Sequence, residues 1–117
     1  MTGIIPSSVL SGLNFDGFCI YPIRNVAVTS TIHTYTFSTS SRVIIFILDT
    51  TTKNSGIIIA SCVSNGNVTA QLISETTSAI TLDTNTAFKL ITKHTSARPL
   101  QAIVFQLGGS AQQVTAE

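Results

Sequence analysis

Residues 41–62 read SRVIIFILDTTTKNSGIIIASC. Two aliphatic runs, residues 43–48 and 57–60, flank a polar tip. Six apolar residues are too few for a membrane-spanning helix, which needs about 20. Their β-branched side chains fit a pleated strand better than a helix. The stretch therefore predicts two strands joined by the tip DTTTKNS. Alternate side chains leave opposite faces of a strand. Ile44, Phe46 and Leu48 share one face, and Val43, Ile45 and Ile47 share the other. A strand with one wet face would alternate apolar and polar residues, and these do not. One set is expected to fill a sandwich core. The other, read as Val43, Ile45 and Ile47 with Ile58 from the second run, is expected to pack on a neighbouring subunit, with the chain's own N-terminal arm, residues 4–10, as the alternative cover. Arg42 and Asp49 read as gatekeepers at the ends of an otherwise aggregation-prone window.

Strand signals recur on both sides of this hairpin at the spacing of a sandwich or barrel. FCIYPI, residues 18–23, reads as a strand that Pro22 pushes toward an edge. In NVAVTSTIHTYTFST, Val26, Val28 and Ile32 share one phase and Tyr35 and Phe37 the other, which predicts a bulge or bend near His33 and Thr34. Asn65-Gly66 predicts a tight type I′ turn. NVTAQLIS then alternates as a half-buried strand, with Val68, Ala70 and Leu72 on its apolar face. AITLD, AFKLITK and PLQAIVFQL complete the set. Residues 42–107 thus read as six antiparallel strands, and two or three precede them. The expected fold is all-β: an antiparallel β-sandwich of eight or nine strands, of jelly-roll type. The expected organisation is an N-terminal arm (1–17), the sandwich (18–107) and a C-terminal tail (108–117).

At 117 residues the chain is the size of one domain. Charged residues make up only 9% of it, against about 25% in ordinary soluble domains. Ser and Thr supply roughly a quarter, so the polar surface is built from hydroxyls. Net charge is +1, and the six basic residues are scattered apart from Lys89 and Lys93. No basic stripe fits a phosphate backbone, so nucleic acid is not expected as a partner. The start, MTGIIPSSVLSG, lacks the charged and apolar regions of a secretory signal. Cys19 and Cys62 read as small buried hydrophobes rather than a disulfide.

The residues do not assemble a catalytic or metal motif. His33 and His94 could bind a metal only together with Asp16, Asp49 or Asp83, and no HxH or HxxxH spacing exists. Both read as surface imidazoles. There is no nucleophile elbow, phosphate loop or dinucleotide fingerprint. Tyr21 and Tyr35 read as an edge and a core-rim tyrosine rather than a sugar-stacking platform, and the chain has no Trp. No cofactor and no enzymatic activity are expected.

Hydroxyl-rich strands, few charges, an NG turn, no export signal and an apolar interface strand together resemble small tailed-bacteriophage virion proteins. Capsid decoration (cement) proteins and the head domains of tail or head fibres are similar in style. No shaft-like repeat precedes the predicted sandwich, which favours decoration. The resemblance implies a virion location, assembly in the host cytoplasm, a homo-oligomer with trimers favoured, and contact with other virion proteins such as the major capsid protein. Ile4, Ile5, Val9 and Leu10 would form the docking arm. The alternative is a receptor- or carbohydrate-binding module of a fibre or tail.

Overall fold

The computed structural model describes residues 13–15, 18–26, 31–76, 79–97, 99–107 and 112–116. Ten strands lie among them: β1 (Leu13–Phe15), β2 (Phe18–Val26), β3 (Ile32–Phe37), β4 (Ser41–Asp49), β5 (Ser55–Cys62), β6 (Val68–Glu75), β7 (Ile80–Leu82), β8 (Lys89–His94), β9 (Leu100–Leu107) and β10 (Val114–Ala116). They form two antiparallel sheets. The larger has the order β1-β2-β9-β4-β5-β6 and the smaller β10-β3-β8-β7. A single buried cluster takes side chains from both, so the sheets pack face to face as a sandwich.

Six strands do fall between residues 42 and 107, but they divide between the layers. β4, β5 and β6 run as a meander through one sheet, β7 and β8 move to the other, and β9 returns to lie between β2 and β4. β1 and β10 lie in the stretches read as arm and tail, yet each pairs with a sheet strand. Ile4, Ile5, Val9 and Leu10 lie outside the described residues. Among the described residues β1 pairs β2 only over Phe18–Ile20, so Pro22 lies beyond that pairing on the outer flank of β2, where a missing N–H is tolerated. The phase change read near His33 is not a bulge. Val26 belongs to the large sheet and Ile32 to the small one, so the chain changes layer between them.

The turns follow from local chemistry. The Asp49 carboxylate accepts from the backbone N–H groups of Thr51 and Thr52, and Lys53 takes a left-handed conformation (φ 65°) to close the β4–β5 loop. Gly66 has φ 89°, but Asn65 is not left-handed, so the expected type I′ turn is not formed. The Gly66 N–H instead bonds to the Val63 carbonyl at 2.9 Å. That is a type I turn followed by a left-handed glycine, the geometry of a longer hairpin loop with a bulge. A Cβ on Gly66 would lie 2.6 Å from the Phe88 ring, which explains the glycine.

The central hairpin has the opposite phase from the one expected. Val43, Ile45, Ile47 and Ile58 are at most 1% exposed and form the middle of the sandwich core. They cannot be a subunit interface. Their strand neighbours Ala102, Val104 and Ala60 are also buried, and together they meet Tyr35, Phe37 and Leu90 of the smaller sheet. The face that is left outside carries Ile44, Phe46 and Ile59.

Candidate functional site

The outer face of the six-stranded sheet is apolar across four strands, β2, β9, β4 and β5. Register places Ile20, Phe105, Ile44 and Ile59 in one cross-strand row, ending on Gln71 of β6. The next row is Pro22, Ile103, Phe46 and Ile57, ending on Ser74. Phe46 and Phe105 meet edge to face with centroids 5.2 Å apart. Ile44, Phe46, Ile59, Ile103 and Leu107 are each between 37% and 52% exposed. The rows beyond are mixed. Arg42, Ser61 and Thr69 stand at one end, where Ser61 and Thr69 share a hydroxyl hydrogen bond of 2.9 Å. Gln101 and Ser55 flank Leu48 at the other. An apolar centre with a polar rim is the anatomy of a protein interface. A shallow groove crosses this face beside Ile44, Ile59, Phe105 and Leu107.

Polar groups are also buried between the sheets. His33 and His94 are both buried, not on the surface as expected, with ring centroids 4.3 Å apart in an edge-to-face pair. Thr92 Oγ1 lies 2.9 Å from His94 Nε2. Neither ring nitrogen of His33 has a hydrogen-bond partner among the described residues. Burial, and then the neighbouring His33, hold the His94 pKa down at about 4, while the Asp49 charge acts weakly the other way. Burial lowers His33 as well. Both imidazoles are therefore neutral at pH 7; His33 is fully buried, while His94 also borders a small pocket with Asp49, Asn54, Thr95 and Ser96.

Tyr21 and Tyr35 are buried too, so they offer no sugar-stacking platform. The Tyr21 hydroxyl donates to Gln106 Oε1 and accepts from the Val114 backbone N–H at 3.1 Å. Gln106 Oε1 accepts a second bond from the Gln113 N–H, also 3.1 Å. These bonds fasten β10 to the sandwich from inside. Burial pushes the Tyr21 hydroxyl up to about 12, so it stays protonated as a donor.

Asparagines gather at the loop end near Asn65, Asn67 and Asn85. Two of them serve the fold. Asn85 donates to the Val68 carbonyl and accepts from the Ile91 N–H, and Asn65 accepts from the Asn67 N–H. Cys19 and Cys62 are buried and not joined in a disulfide, with their thiol pKa values raised by that burial. The Asp49 and Asp83 carboxylates accept bonds from turn N–H groups. No group of three or more His, Cys, Asp or Glu side chains converges on a metal geometry among the described residues. No helix there is long and apolar enough to cross a membrane.

The candidate site is thus the outer sheet face, built from residues other than those singled out in sequence. The signal that could have found them is the alternation of β6. Its polar Thr69 and Gln71 pair with Ser61 and Ile59, while its apolar Val68, Ala70 and Leu72 pair with Cys62, Ala60 and Ile58. That register alone assigns Ile59 to the outside.

The sequence matches no protein-family model and no curated protein. Among solved structures, the fold is similar to part of the tailspike protein of Acinetobacter phage vB_ApiP_P1, with a TM-score of 0.50 at 12% identity. The similarity covers 100% of this chain and 24% of that one, so the chain spans about a quarter of the tailspike's length.

Proposed function

We propose that this chain is a non-catalytic structural module of a bacteriophage tail, of the kind that builds a spike or fibre. It works by burying surface against other virion proteins, not by turning over a substrate. The observation that carries this is the correspondence of the whole chain with one segment of a tailspike. The surface chemistry supports it. Charged groups are sparse, the acidic side chains Asp49 and Asp83 are tied to turn N–H groups, and the histidines are buried. An enzyme would be expected to gather titrating groups in an open pocket.

Capsid decoration is the finer reading that the sequence favoured. The two differ in copy number and position. Antibody labelling of purified virions, with quantitative mass spectrometry of their proteins, tests the proposal. Labelling at the tail with a low copy number is the expected result. A chain present at the abundance of a major shell component, spread over the head, overturns the tail assignment in favour of decoration. Absence from the particle overturns both.

A further inference from the structure

We infer that the outer face of the six-stranded sheet is where a second copy of this chain docks, face to face and with β4 of one copy antiparallel to β4 of the other. The inference does not depend on the tail assignment.

Extent is the first argument. From strand and residue spacing, the two apolar rows span four strands, roughly 19 Å by 14 Å, and the rim rows extend the face toward the ~800 Å² that each partner contributes to a standard interface. The face holds two full apolar rows plus Phe18 and Leu107.

Shape is the second argument, and it selects a copy of the same chain. On the two central strands, phenylalanine and isoleucine exchange places between rows: Ile44 then Phe46 on β4, Phe105 then Ile103 on β9. A two-fold axis lying in the sheet plane, across the strands and between these rows, sets one copy's Phe46 over the other's Ile44. The same operation sets Phe105 over Ile103. Each large side chain meets a smaller one on both strands, and the contact is self-complementary as a two-fold interface requires. Charge agrees. Arg42, at one end of β4, is carried to the Leu48 end of the partner's strand, so the two guanidinium groups stay about 20 Å apart. An axis along β4 would stack them instead.

Light scattering and sedimentation velocity of the purified chain test this, with Phe46→Ser and Ile103→Lys as face variants and Thr115→Asp on the smaller sheet as a control. Circular dichroism and a thermal midpoint establish that each variant is folded. The expected result is a dimer, or a larger assembly built on it, for the parent and the control. Each folded face variant should bind itself at least about tenfold more weakly, as truncation of a central interface anchor does. A parent that stays monomeric at every concentration overturns the inference. So does an assembly that both face variants leave intact.

Discussion

His94 is the residue whose environment most constrains the protein's response to pH. Its imidazole is held at about 4 in the folded chain, against 6.5 for the free side chain. The unfolded chain therefore binds a proton at a higher pH than the folded one. Stability is fully present above about 6.5 and is lost as pH falls toward 4, by an amount on the order of 2–3 kcal/mol. Urea unfolding followed from pH 7 to pH 4 should give a falling midpoint, and His94→Phe should flatten the slope. His33 invites the opposite kind of change. Its ring is fully buried with neither nitrogen bonded among the described residues, so desolvation is uncompensated. His33→Leu removes that cost at similar volume and should raise the unfolding free energy by about 1 kcal/mol or more.

Among the elements, β4 carries the clearest contrast between its two faces. Ile45 is wholly buried and Ile44 is 37% exposed, although they are neighbours of one residue type. Ile45→Thr leaves a void and buries a hydroxyl, and should cost about 2–4 kcal/mol. Ile44→Thr should stay within about 0.5 kcal/mol, with urea unfolding measured at protein concentrations low enough to suppress association. A reversal of these two values would return the strand to the phase first read from its sequence. That reading failed for a physical reason. Both faces of β4 are aliphatic, so its own pattern holds no information on which face is inside. Strand positions, the β4–β5 hairpin and the two-layer class were legible because β-branched runs and polar turns are local signals. The placement of β9 between β2 and β4, and the assignment of faces, depend on pairings far apart in sequence. The interior clamp on β10 was hidden for the same reason: Tyr21 and Val114 are 93 residues apart. Tyr21→Phe deletes both bonds of that hydroxyl and takes this acceptor from the buried Val114 N–H, while Gln106 Oε1 keeps the Gln113 N–H. It should cost about 1–3 kcal/mol and speed amide exchange at Val114 and Thr115 ahead of the rest of the sandwich.

At the scale of the whole molecule, the sequence gives a chain with net charge +1 and a pI near 7.8, so electrostatics neither drive nor oppose association strongly. What remains is an apolar sheet face with Arg42 at its end. Association through such a face has a thermodynamic signature that a charge-driven contact lacks. Between ~0.01 M and ~1 M salt the screening length shrinks from ~30 Å to ~3 Å, which weakens contacts held by opposed exposed charges. Burial of isoleucine and phenylalanine gains nothing from that field and loses nothing when it is screened. Excluded anions such as sulfate strengthen it, and cooling weakens it, because apolar hydration is entropic near room temperature. Self-association measured by sedimentation should therefore hold or tighten with sodium chloride, tighten further with sulfate, and loosen from 25 °C toward 4 °C. A steep loss with added sodium chloride would instead place the contact on scattered charges such as Lys89 and Lys93, on the opposite side of the sandwich.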